Sequence, residues 1–132
     1  MEIDNLLQKL RYKNDLNSSV INAPKPFEEA FNAKGIPSWT QNSGPYQFTI
    51  LFVIDRSELE KLARPTIESI EYDSVFWIAY PKGSSSMKSD INRNSLFELL
   101  KPYGHRPVSQ VAIDNDWSAL RFRPIEKVKS RS

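Results

Sequence analysis

Tyr46-Gln47-Phe48-Thr49-Ile50-Leu51-Phe52-Val53-Ile54 runs straight into Asp55-Arg56-Ser57-Glu58-Leu59-Glu60, and this junction decides the fold. The first nine residues are nearly continuous in apolar and β-branched side chains, the pattern of a strand covered on both faces. Crossover helices supply such cover to the parallel strands of α/β proteins, so the segment is expected to sit centrally in a sheet. The residues after it read as a helix start. Ser57-Glu58-Leu59-Glu60 has the form of a capping box, in which the serine accepts from a first-turn amide and Glu60 reaches back to the cap amide. Leu59, Leu62, Ala63, Ile67 and Ile70 continue a buried stripe. Pro65 lacks an amide hydrogen and disfavours helical geometry at Arg64, which predicts a kink or an early break.

Upstream, Asn42-Ser43-Gly44-Pro45 marks a turn, and residues 36–39 before it read as a short strand. A helix carrying Phe27, Ala30 and Phe31 is opened by Pro26 and stopped by Gly35. Residues 18–23 form a strand ended by Pro24, and Ile3, Leu6, Leu7 and Leu10 mark one face of an N-terminal helix within residues 1–14. Downstream, Ser74-Val75-Phe76-Trp77-Ile78-Ala79-Tyr80 is a second buried strand, and Pro81-Lys82-Gly83-Ser84-Ser85-Ser86 is the loop leaving its C-terminal end. A helix with Leu96, Phe97, Leu99, Leu100 and Tyr103 begins near residues 92–95 and stops at Gly104. Residues 107–113 and 117–123, joined by Asp114-Asn115-Asp116, form an antiparallel hairpin.

This alternation predicts an α/β fold: a small Rossmann-like three-layer sandwich with a mostly parallel sheet of about six strands, helices on both faces and an antiparallel C-terminal strand. With no internal repeat or dividing linker, residues 1–132 read as a single domain ending in a basic tail at 124–132. Leu, Ile, Val and Phe account for 35 of the 132 residues, enough for a core, which excludes global disorder. The absence of cysteine excludes disulfides, thiolate metal sites and cysteine nucleophiles. A single histidine excludes a His-pair metal site and a two-histidine acid/base scheme within one subunit; neither a metal ligand nor a catalytic residue is expected.

The N-terminus carries acids where a signal peptide needs a basic region, and the longest apolar run spans only residues 48–54, so a cytoplasmic protein without a membrane segment is expected. Charge divides unevenly: residues 1–80 hold 8 basic and 11 acidic side chains, residues 81–132 hold 10 and 5. The basic ending could meet a polyanion. Arg121 and Arg123, however, alternate with Leu120 and Phe122 as a half-exposed strand requires, and Phe122, the ring that would have to stack on a base, should point inward. Nucleic-acid binding is therefore not expected.

An antiparallel strand closing a run of α/β units resembles the sheet of class I S-adenosylmethionine-dependent methyltransferases, shortened by one or two units between residues 39 and 46. In that family the first strand leads into a glycine-rich loop that admits the cofactor. The matching place here reads Val20-Ile21-Asn22-Ala23-Pro24-Lys25-Pro26, with prolines for glycines, and Trp39-Thr40 stands where the resemblance would put a ribose-binding carboxylate. No cofactor is expected. Longer motifs resemble a family of small bacterial proteins of uncharacterised activity: Leu7-Gln8-Lys9-Leu10-Arg11-Tyr12-Lys13, Trp77-Ile78-Ala79-Tyr80-Pro81-Lys82-Gly83-Ser84-Ser85, Asp90-Ile91-Asn92-Arg93, Val111-Ala112-Ile113-Asp114 and Trp117-Ser118-Ala119-Leu120-Arg121-Phe122-Arg123. That resemblance implies membership and fold but no particular reaction.

Ligands of open α/β sheets sit beyond the C-terminal ends of the parallel strands. On the expected topology that edge gathers Asn22, Asp55, Tyr80, Asp114 and Trp117 around a crevice. Lys82, Gly83, Ser84, Ser85 and Ser86 offer an ammonium, a flexible turn and three hydroxyls, a set that suits a small anionic ligand, and Arg93 approaches from the next helix start. Glycine and serine also suit a plain solvated loop, and Asp55 and Asp90 are equally placed to bond helix-entry amides. Tyr80 and Trp77, three apart in a strand, face opposite sides of the sheet, with Trp77 in the core. His105 lies at the foot of the next strand, away from the crevice, and reads as a turn residue. The resulting expectation is a non-catalytic or ligand-sensing module with an anion site at the strand ends. The alternatives are an enzyme acting on an anionic or phosphorylated small molecule there, and weak nucleic-acid binding through the basic half. The sequence does not give an oligomeric state.

Overall fold

A computed structural model describes residues 2–40, 44–83 and 89–128. Along the chain run α1 (Ile3–Lys9), β1 (Ser18–Ile21), α2 (Lys25–Ala33), β2 (Tyr46–Phe52), α3 (Arg56–Ser69), β3 (Ile70–Pro81), α4 (Arg93–Leu100), β4 (His105–Ala112) and β5 (Trp117–Pro124). A 3-10 turn at Lys101–Tyr103 follows α4, and another at Ile125–Lys127 follows β5.

The strands form one five-stranded sheet in the order β1-β2-β3-β5-β4. β1 with β2 and β2 with β3 pair parallel, whereas β5 pairs antiparallel with both β3 and β4. This corrects the expectation of a Rossmann-like, mostly parallel sheet of about six strands: the sheet is mixed, and its C-terminal half is antiparallel. Two local causes account for the difference. The chain near residue 38 makes only an isolated bridge, Val20 to Ser38, so the sixth strand is missing. β4 enters by a crossover that leaves one place empty beside β3, and the short turn after β4 returns β5 into that place, which a tight hairpin can do only in the opposite direction. β2 is interior, as its unbroken apolar run requires, but the middle of the sheet belongs to β3.

The buried side chains fall into two clusters. Leu6 and Leu7 of α1, its cap residue Leu10 and Phe31 of α2 pack with Phe48, Phe52, Trp77 and Ala119, while Leu59 and Ala63 of α3 and Leu96 and Leu100 of α4 pack with Leu51, Phe76, Ile78 and Phe122. The sheet therefore carries a helical layer on each face. Trp77 and Tyr80 lie in opposite clusters.

Several local starts and stops differ from the sequence expectation. α3 begins two residues earlier: Asp55, not Ser57, is its cap, accepting from the Glu58 amide at 2.9 Å. The same acceptor-x-x-Glu spacing occurs there, and Glu58 reaches back to the Ile54 amide at 2.7 Å. α3 also runs through Pro65 without a break. Pro65 is exposed, so the carbonyl it leaves unbonded one turn earlier, at exposed Lys61, faces water. α2 is entered through Pro24, and the left-handed Gly104 (φ 77°) ends the 3-10 turn after α4.

Candidate functional site

The parallel strands end at Ile21, Phe52 and Pro81, on the side of the sheet from which β5 starts at Trp117. Along this edge, Lys82 continues β3, and its amide donates to the Asp116 carbonyl at 2.8 Å, which pins the loop after β3 to the hairpin turn. The segment entering α4 is anchored on the opposite flank. Ser89 donates its hydroxyl to the Ile54 carbonyl at 2.6 Å, and Asp90 accepts from the Arg56 amide at 2.9 Å. Asn92 then caps α4 in a reciprocal pair with Ser95, at 2.8 and 2.9 Å, so that Arg93 is the first helical residue.

Between these anchors lies a cavity of about 460 Å³, lined by Tyr80, Pro81, Lys82, Gly83, Ile91, Asn92, Arg93, Gln110, Ala112 and Ser118. Its floor follows from the register. Tyr80 pairs with Ser118, and Ser118 with Ala112, so a row across three strands carries two small side chains beside one large one on the α4 face. The small pair leaves the hollow, and the Lys82 loop and the start of α4 wall it. Lys82 and Arg93 contribute two cationic groups, and no acidic side chain is among the described lining residues. Burial pushes the Tyr80 hydroxyl above its usual pKa while Arg93 pulls the other way, so near neutral pH the group is a neutral phenol able to donate a hydrogen bond.

Of the residues singled out from sequence, Tyr80, Lys82, Gly83 and Arg93 meet in this cavity. Ser84, Ser85 and Ser86 lie outside the described residues. The other four named crevice residues are committed to building the edge. Asn22, itself left-handed at φ 60°, donates to the Phe52 carbonyl at 2.8 Å, and Asp55 caps α3. Asp114 accepts from the amides of Asp116 and Trp117, each at 2.8 Å. Trp117 is buried against Phe52, ring edge to ring face at 5.2 Å. Sequence reasoning missed Asn92, Gln110 and Ser118. The alternation of the hairpin strands held the signal for Gln110 and Ser118, but reading it required knowing that β5 lies between β3 and β4.

Other concavities differ in chemistry. A groove of about 490 Å³ between α3 and the end of α4 has a largely aliphatic wall, with Arg64 over the Tyr103 ring at 6.0 Å. A hollow of about 270 Å³ at the opposite sheet edge holds His105, whose Nδ1 lies 3.1 Å from the Tyr103 carbonyl; burial pushes its pKa down. Among the described residues no group of three His, Cys, Asp or Glu side chains is arranged to hold a metal, and no helix is long and apolar enough to cross a membrane.

No family model and no curated protein matches the chain. Solved structures do resemble it. "The structure of LepI complex with SAM" aligns over 92% of this chain and 39% of that one, with a TM-score of 0.53 and 15% identity. "A Pericyclic Reaction enzyme" aligns over the same shares with a TM-score of 0.48 and 14% identity. The chain thus spans about two fifths of the length of these structures, and the first likeness is one of fold: a small α/β arrangement with a mixed sheet.

Proposed function

We propose that the protein is a ligand-binding α/β module without catalytic activity, which takes a small anionic molecule in the cavity between Lys82 and Arg93. The observation that carries this reading is the pairing of two cations with a buried phenol, and no carboxylate among the described lining residues, at a strand-end hollow of ligand size. Lys82 supplies a point charge and Arg93 a planar fork suited to a phosphate or carboxylate, while Gln110, Ser118 and Tyr80 offer polar groups for the remainder of the ligand. All the described lining residues except Gln110 fall within the segments that resemble the small bacterial family. The fold likeness to a structure in complex with SAM makes that molecule one of the ligands to test.

A thermal-shift screen over nucleotides, SAM and phosphorylated metabolites tests the reading. Stabilisation by an anionic ligand, lost in Lys82→Ala and Arg93→Ala, supports it, and no stabilisation by any anion contradicts it. Turnover of the stabilising ligand would assign the site to an enzyme instead.

A further inference from the structure

The other face of the hairpin carries a second, independent feature. Ala119, Arg121 and Arg123 share the α1 face of β5, and their register partners on β4 are Val111, Ser109 and Arg106. Arg123 is neutralised by a fork to Asp73, Nε to Oδ1 at 2.9 Å and Nη2 to Oδ2 at 2.8 Å. Asp73 is thereby occupied. Arg121, one position along the same face, has its Nε withdrawn from solvent and without a hydrogen-bond partner. A buried donor left unmade carries a cost, and such a group needs an explanation.

A third guanidinium comes from the residue that follows the cap of α1. Trp77 pairs with Arg121 in register and donates its indole N–H to the Leu10 carbonyl at 2.8 Å, so the end of α1 lies over Trp77, and the Arg11 charge is near enough to act on Arg121. Arg11 occupies the residue just past the cap of α1 with φ 63°; its amide bonds the Gln8 carbonyl, and the next amide bonds that of Leu7. That closing motif favours glycine, because a side chain in left-handed backbone is strained. An arginine there opposes the local preference and brings like charge toward Arg121. The opposite charge that reaches Arg121 is Asp73, which is already forked to Arg123.

We propose that Arg11, Arg106 and Arg121 form an oxyanion site on the α1 face of the β4–β5 hairpin, and that its ligand is a phosphate group carried by a small molecule. Three guanidiniums, with the fourth already matched by Asp73, suit a group of two or more negative charges better than a single carboxylate. Ser109, opposite Arg121, adds a hydroxyl. Trp77, the ring beside Arg121, is buried and offers no base-stacking surface, which favours a small molecule over a polynucleotide.

The test is calorimetric titration of the full chain with inorganic phosphate and pyrophosphate at ionic strength held constant with sodium chloride. A background of Lys82→Ala with Arg93→Ala separates this site from the cavity on the other face. Saturable pyrophosphate binding in that background, weakened at least tenfold by Arg121→Met and by Arg11→Gly, is expected. Arg11→Gly should melt no lower than its parent, because glycine suits the left-handed position, so its loss of binding cannot be assigned to unfolding. Binding no stronger than that of chloride, or binding unchanged in both variants, overturns the proposal. Oligonucleotide retention that depends on Arg121 without pyrophosphate binding also overturns it, in favour of a polyanion surface.

Discussion

Trp77 donates its indole N–H to the Leu10 carbonyl at 2.8 Å, tying the last turn of α1 to the middle strand of the sheet. The bond is buried, and Trp77 is 1% exposed. Trp77→Phe removes the donor, strands the carbonyl and leaves unfilled volume, so a loss of about 2–3 kcal/mol in denaturant unfolding is expected. A loss within a few tenths of a kcal/mol would show that α1 is held by its leucines alone.

The Asp73–Arg123 fork gives a pH signature. Hydrogen bonding from Arg123 holds the Asp73 carboxyl below its usual pKa, although burial opposes this. A carboxyl depressed in the folded state adds stability that is present above its unfolded pKa and is lost as pH falls through the folded one. The loss therefore belongs below about pH 4. Asp73→Asn keeps a side chain that tolerates φ 56° while deleting the charge, and should flatten that part of the stability profile. A double-mutant cycle with Arg123→Met should give a coupling of about 1 kcal/mol, the upper range for a partly exposed pair.

His105 acts in a different window. Burial holds its pKa below the usual value, so the unfolded chain takes up a proton before the folded one does. Its contribution is complete above about pH 6.5 and declines as pH falls from there toward the lowered folded value. Replacing His105 with Gln, followed by melting across pH 7 to 5, should remove this slope while leaving the acid-range slope of Asp73.

Gly44 is a steric requirement. It adopts φ 113°, and a Cβ placed on it would stand 2.7 Å from the Ser69 carbonyl oxygen. Backbone, not a movable side chain, meets the added atom, so Gly44→Ala should destabilise by about 2 kcal/mol or more. An unchanged midpoint would mean that the turn before β2 can shift without cost.

The sequence exposed most of the elements because burial on both faces writes itself as unbroken apolar runs, as in 46–54 and 74–80. It was weaker where two similar signals compete. Asp55 and Ser57 both offer a cap with glutamate three positions on, and local spacing does not say that Asp55 is the one used. Sheet order was hidden for the same reason: nothing in residues 117–124 announces that they enter between β3 and β4. The cavity inherits this limit. Lys82 and Arg93 were legible from loop and helix-start chemistry, but Ser118 and Ala112 matter because they are small neighbours in a row that only the pairing reveals. Asn22, Asp55 and Asp114 looked like site residues because polar groups at strand ends are also what turns and caps require.

The cavity is tested most directly by calorimetric titration of wild type, Lys82→Ala, Arg93→Ala and the double variant with the anionic ligand that most raises the melting temperature. Each single loss should weaken binding at the cavity about tenfold to a hundredfold, consistent with about 1.5–3 kcal/mol for a charge-assisted hydrogen bond, and the double variant should retain at most the binding that Arg121→Met removes. Affinity unchanged in the double variant would contradict the account, because the ligand would then sit elsewhere.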